Sequence, residues 1–220
     1  MAWTRYTTAG KAGGERPIDT VELGPGDVRG LGRRLLGEFN GRRILELGAG
    51  RAHTAIAMAA AGARVVAIDP NAKELAKARI AIEAAEVAVE LHEAEPFELA
   101  FLHADIFDAV VAVHSLAAAP NLGRVFRQVH RVLKPDRPLV FTLPHPISLM
   151  TDPDDQSQIT SGYAESGHVG RGMYLTHRHT ISEVFTLLTR SNFHVDTLLE
   201  PTGDGPLPAS VVFRARKLGA

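Results

Sequence analysis

One stretch constrains the fold of this chain more than any other. Arg43-Ile44-Leu45-Glu46-Leu47 runs into Gly48-Ala49-Gly50-Arg51-Ala52, and a second apolar run, Val65-Val66-Ala67-Ile68, closes on Asp69. An apolar strand, a glycine turn, an alanine-rich helix and a second strand ending in a carboxylate make a nucleotide-binding half-fold. Gly48 and Gly50 let the backbone turn tightly and approach a ligand with no side chain in the way. Asp69 lies 19 residues beyond Gly50, a spacing that returns the chain along the next parallel strand. Its carboxylate then reaches the ribose hydroxyls of an adenosine group.

Charge separates the adenosine cofactors that such a turn holds. A dinucleotide places an anionic pyrophosphate there, and the third glycine of G-x-G-x-x-G brings the helix N-terminus close to it. Here that position is His53, and Glu46 stands two residues before Gly48. An acid at that place repels phosphate and suits a cationic group such as the ammonium of S-adenosylmethionine.

The alternation of strand and helix continues. Val28, Leu31, Leu35, Leu36 and Phe39 predict a helix over 27–39, and strands are expected near 43–47, 87–91, 107–113 and 138–143. Gly62 is placed to end the helix after the glycine turn. Asn71-Ala72-Lys73-Glu74 and Thr180-Ile181-Ser182-Glu183 read as capping boxes, and a further helix is expected from Asn121 to Leu133. Two β-rich runs near 193–199 and 210–214 have no helix between them and predict an antiparallel pair at the sheet edge. The expected fold is therefore α/β, a doubly wound, mostly parallel sheet in one domain, with the ligand at the strand carboxyl ends. Residues 1–24 read as an irregular arm. Residues 144–180, rich in Pro and Gly, read as a cover facing the substrate.

Composition removes several function classes. Twenty-four basic against 25 acidic residues leave a formal net charge of −1, so nothing draws the whole chain toward nucleic acid. The absence of cysteine excludes disulfides, thiolate catalysis and Cys-ligated metals. No run reaches the ~18 apolar residues of a membrane span, and the N-terminus lacks a signal-peptide core, so a cytoplasmic soluble enzyme is the expectation. The oligomeric state stays open.

Glu46-Leu47-Gly48-Ala49-Gly50 and Asp69 resemble the acidic-x-Gly-x-Gly signature and ribose-binding acid of the class I S-adenosylmethionine-dependent methyltransferases that act on small molecules. Ala94-Glu95, Phe107 to Val113 and Phe126 to Pro135 resemble further elements of that family, so the likeness spreads over most of the chain. It implies a seven-stranded Rossmann-like sheet, S-adenosylmethionine as cofactor, and contacts to it from Glu46, Gly48, Ala49, Gly50 and Asp69. Pro70, Ala94, Glu95 and Val113 complete the implied contact set. Three positions depart from the pattern. Ala52 stands where the family often has a third glycine, Glu95 replaces the commoner Asp, and Pro96 has no N–H to offer an adenine ring.

The expected reaction is methyl transfer to an oxygen, nitrogen or carbon of a small acceptor. A hydroxyl acceptor needs a base, and His114 after the fourth strand, His145 after the fifth and His179 before the last helix are the candidates. A zinc site from His145, His177 and His179 lacks the spacing of known motifs, so no metal is expected. Trp3 and Tyr6 either fold over the site or pin the arm to the core. Two alternatives stay open: a non-catalytic S-adenosylmethionine-binding protein and, disfavoured by Glu46 and His53, a nicotinamide-dependent oxidoreductase.

Overall fold

Burial along each strand follows from its place in the sheet. The computed structural model describes residues 21–24, 31–152, 156–163, 168–169, 176–202 and 206–219. β1 (Arg43–Leu47), β2 (Arg64–Asp69), β4 (Ala109–Val113) and β5 (Pro138–Pro144) are apolar runs buried along nearly their whole length. β3 (Val89–Glu93) and β8 (Phe193–Leu199) instead mix exposed with sheltered positions. The sheet order β3-β2-β1-β4-β5-β9-β8, in which β9 is Ser210–Lys217, explains the difference. Continuous apolar runs occupy the middle, covered on both faces, and the mixed strands occupy the edges. β1 to β5 are parallel, while β9 runs antiparallel to both β5 and β8. The chain thus forms the expected seven-stranded doubly wound sheet with its antiparallel edge pair.

Side chains alternate between two apolar layers. Leu45 and Leu47 face the layer covered by α4 (Leu122–Val132) and α5 (Ile181–Arg190). Ile44 faces the other, covered by α1 (Leu31–Leu36), α2 (His53–Ala60) and α3 (Ala72–Ala84). Within the first layer the rings of Phe141 and Phe213 stack 5.2 Å apart across β5 and β9, and Phe126 of α4 approaches Phe141 at 5.4 Å. No helix among the described residues is long and apolar enough to cross a membrane.

Local signals set the helix ends. At the close of α2 the Gly62 N–H donates to Ala59 O and the Ala63 N–H to Met58 O, a Schellman pair that needs the left-handed backbone of Gly62. Asn71 caps α3 by accepting from the N–H groups of Lys73 and Glu74, and Thr180 caps α5 by accepting from Glu183 N–H. Glu74 does not complete its capping box. Its carboxylate bonds Lys77 Nζ at 2.6 Å and Arg51 Nε at 3.4 Å.

Several expected boundaries move, and β9 continues past Arg214 to Lys217. The third strand begins at Val89 and not Val87, because Glu86 turns at φ 53° and Val87 N–H still bonds Ile82 O at the end of α3. The first helix ends at Leu36, where Gly37 takes φ 89°; Phe39 is buried beyond it, and residues 25–30 lie outside the described set. The fourth strand begins at Ala109, Phe107 making only an isolated bridge to Leu133. Among the described residues of 144–180 lie a short antiparallel pair of β6 (His168–Val169) and β7 (Thr176–His177) and an isolated bridge between Thr151 and Ile159. The N-terminal arm as far as residue 20, with Trp3 and Tyr6, lies outside the described residues.

Two glycines with the same left-handed backbone separate conformational from steric cost. A Cβ at Gly37 meets nothing within 4 Å, whereas one at Gly62 lies 2.7 Å from Asn40 Oδ1. Gly37→Ala should therefore cost about 1 kcal/mol from backbone strain alone, and Gly62→Ala more, because Asn40 must also move. Urea unfolding of both variants checks this; equal losses would show that Asn40 yields freely.

Candidate functional site

The site grows from the turn after β1. Gly48 and Gly50 take φ 75° and 53°. The N–H groups of Gly48 and Ala49 both donate to the Ile68 carbonyl, at 2.8 and 2.9 Å, so the turn is tied across the end of β2. The Gly50 N–H donates to Asp69 Oδ2 at 2.8 Å, and Asp69 Oδ1 accepts from Asn71 N–H at 2.8 Å. Pro70 has no N–H, so this second bond passes over it to form an Asx turn. Asp69 is fully buried, and burial pushes its carboxyl upward against the opposing pull of these two bonds. Ala52 opens α2 at φ 63°, taking in person the left-handed conformation that a third glycine would supply.

A Cβ built on Gly50 meets no atom within 4 Å, so open space lies in front of the turn. Around that space stand three acids. Glu46 is 3% exposed and reaches the first turn of α2, where Thr54 and the Ala55 N–H donate to it. Burial nevertheless pushes its carboxyl up to about 8, and among the described residues Oε2 has no hydrogen-bond partner. Ala94 N–H donates to Asp69 O at 3.3 Å, and Glu95 follows it. Burial, then the charges of Glu98 and Asp69, raise the Glu95 carboxyl. Val113, the last residue of β4, is buried at the same carboxyl edge. Two buried acids and a half-buried third, with one orphaned oxygen among them, have the wrong sign for a pyrophosphate and fit a cation.

The three candidate bases differ in what their ring nitrogens do. His114 follows β4 with φ 55°, its Nε2 3.1 Å from Ser210 Oγ, and a Cβ at Gly24 would collide with its ring. Burial lowers its imidazole to about 4, so it is neutral near pH 7. His145 is 1% exposed; its Nδ1 accepts from Ile147 N–H at 3.2 Å, which leaves the proton on Nε2 to be donated to Glu200 Oε1 at 2.7 Å. His179 Nδ1 lies 3.4 Å from Glu183 Oε1, and among the described residues neither of its ring nitrogens makes a hydrogen bond. His177 and His179 have ring centroids 6.2 Å apart. Among the described residues no three His, Asp or Glu side chains are grouped to hold a metal ion.

Sequence reasoning missed Arg178 and Glu200. Arg178 is 5% exposed, and its guanidinium donates to Gly162 O, Leu149 O and Ser161 Oγ, tying three points of the cover together. The signal available was a cation inside a Gly- and Pro-rich segment, overlooked between His177 and His179. Glu200 directly follows β8, far from His145 in sequence, and no spacing pairs them.

Comparison with known proteins agrees with this geometry. Residues 45–141 match the methyltransferase domain family. The ubiquinone biosynthesis O-methyltransferase of Aromatoleum aromaticum is 31% identical over 46% of this chain and 44% of its own length, so the chain matches less than half of that relative. Among solved structures, an S-adenosylmethionine-dependent methyltransferase from Mesorhizobium loti superposes with a TM-score of 0.72 at 25% identity, covering 84% of this chain and 95% of the other. One from Methanosarcina mazei does so with a TM-score of 0.69 at 22% identity, covering 88% and 100%. Residues 45–141 are thus similar to the methyltransferase domain family, and the chain shares the fold of the class I S-adenosylmethionine-dependent methyltransferases.

Asp69 holds the turn before any ligand arrives, so its removal should be felt by the ligand-free protein. Asp69→Ala leaves the N–H groups of Gly50 and Asn71 without acceptors and should lower unfolding stability by roughly 2–4 kcal/mol. Denaturant titration without ligand measures this. Wild-type stability would mean that the carboxylate serves the ligand alone.

Proposed function

We propose that this protein is an S-adenosylmethionine-dependent methyltransferase acting on a small organic acceptor. The observation that carries the reading is Glu46, a buried acid raised to about 8 with one oxygen unpartnered beside the open turn. An ammonium group placed there supplies the missing partner and the opposite charge. When bound, the cofactor supplies an electrophilic methyl group on a sulfonium; the protein's work is to align an acceptor with it and to exclude water.

In this reading Glu46 holds the amino-acid end of the cofactor, the glycine turn passes beneath it, and the outward lone pairs of Asp69 take the ribose hydroxyls. Ala49, Pro70, Ala94, Glu95 and Val113 line the same edge. An oxygen acceptor is favoured by the O-methyltransferase name of the curated relative. Of the three histidines, His179 is the proposed base, because its nitrogens are uncommitted and Glu183 stands near enough to stabilise an imidazolium. His114 and His145, held by Ser210 and by Glu200 with Ile147, are proposed to shape the acceptor pocket.

S-adenosylhomocysteine at about a hundred times its Kd should add ~2.7 kcal/mol and raise the melting temperature by roughly 5–10 °C, with no shift from NAD or NADP. A shift with NAD alone would sink the assignment. The pH dependence adds a second check. Because the carboxyl of free Glu46 titrates near 8, a bound ammonium must drive off its proton. Affinity for S-adenosylhomocysteine should therefore rise between pH 6 and 7.5, by up to about tenfold per unit, and calorimetry should register proton release. Glu46→Gln should flatten that dependence. The ligand-free wild type should show the opposite trend, losing stability as pH rises from the ordinary carboxyl range toward 8.

A further inference from the structure

The opposite end of the sheet, where the parallel strands begin, carries a second concentration of charge. A cleft of about 170 Å³ opens there between the end of α1 and the starts of β1, β4 and β5, with the end of β9 closing one side. Arg34, Arg42, Arg137, Arg214 and Arg216 line it, against Glu38, Asp108 and Asp136. Positive groups therefore outnumber negative ones by two in a chain whose formal net charge is −1.

The acids in and beside the cleft are committed elsewhere or shared. Asp108 accepts from Lys134 Nζ at 2.8 Å and from the Arg43 N–H at 2.9 Å, so Arg42 and Arg137 reach it only at 3.6 and 4.0 Å. Glu38 pairs with Arg33 at 2.7 Å. Arg216 meets Asp196 at 2.8 Å and Asp136 at 3.6 Å, while Arg214 stands 3.4 Å from Asp196 with its buried Nε making no hydrogen bond. Arg34 has no carboxylate partner among the described residues. Three guanidinium groups, Arg34, Arg42 and Arg137, thus converge with spare donors.

Guanidinium forks match the paired oxygens of phosphate and carboxylate, and several around one small space favour an anion with more than one charge. The volume is below the roughly 300–1,000 Å³ typical of drug-sized ligands, which limits the occupant to a compact molecule. We propose that this cleft is a second ligand site, separate from the cofactor site, that binds a small multivalent oxyanion. The shared chemistry is the oxyanion, borne by a phosphoryl group or by a polycarboxylate.

The test uses the whole chain with pyrophosphate and citrate as probes, each titrated by calorimetry against sodium chloride at matched ionic strength. Saturable binding that chloride does not reproduce is expected, and the tighter probe identifies the source. Arg34→Gln with Arg137→Gln removes the two arginines with the weakest ion pairs and should raise the Kd at least about tenfold. Arg34→Gln alone, at an exposed position, should weaken binding in the same direction and guards against a fold defect in the double variant. S-adenosylhomocysteine should bind both variants as it binds the wild type, so failure here is distinct from failure of the methyltransferase reading. Heat that follows ionic strength alone, or equal affinity in the variants, would overturn the site and leave an ion-pair network that serves only the fold.

Discussion

The Asp69 carboxylate between the N–H groups of Gly50 and Asn71 is the contact on which the working edge of this protein depends. A buried carboxylate is costly unless its oxygens are satisfied, and both are satisfied here by backbone groups that have no other role. One bond fixes the glycine turn after β1 and the other fixes the start of α3. Together they hold the turn after β1, the end of β2 and the start of α3 in register. The N–H groups of Gly48 and Ala49 are spent on Ile68 O and that of Ala52 on Ala49 O, so these three do not serve as a phosphate cradle. The geometry of the turn and the charge of Glu46 therefore point the same way, toward a ligand held by acids.

The sheet is electrically polarised along its strands. Its carboxyl edge gathers Glu46, Asp69 and Glu95, whose pKa values are all pushed upward, chiefly by burial. Its other end gathers arginines around Asp108, whose carboxyl burial pushes up but the Lys134, Arg43 and Arg42 contacts pull further down. Composition conceals this division, because 24 basic and 25 acidic residues nearly cancel. A net charge near zero excludes a global field and says nothing about two local ones of opposite sign.

What was legible in the sequence was whatever depends on neighbours along the chain. The glycine turn, the capping Asn71 and Thr180, the terminating Gly62 and the continuous apolar strands are local devices, and each formed where its residues stand. The start of β3 was displaced by a single turn residue, Glu86, in a left-handed conformation that nothing in its side chain demands. Partners brought together by the fold were invisible. His145 could be placed after β5, but Glu200, 55 residues later, could not be paired with it. Arg178 could be counted, but its grip on Leu149 and Gly162 needs the cover folded. The three histidines looked equivalent as sequence, and only their hydrogen bonds distinguish them.

The reversed direction of β9 explains how one late segment serves both ends of the molecule. Its pairing with β5 sets Ser210 opposite Pro144 and Arg216 opposite Pro138. Ser210 is thereby delivered to the carboxyl edge, within 3.1 Å of His114, which precedes it by 96 residues. Further along, the same strand presents Arg214 and Arg216 to the arginine cleft. A parallel strand in that place would begin at the cleft end of the sheet and finish at the carboxyl edge. β9 is also held on both sides, by β5 and β8, and packs Phe213 on Phe141, so neither end can shift without disturbing the core between them. The antiparallel strand is thus the rigid link between the carboxyl edge of the sheet and its cationic end.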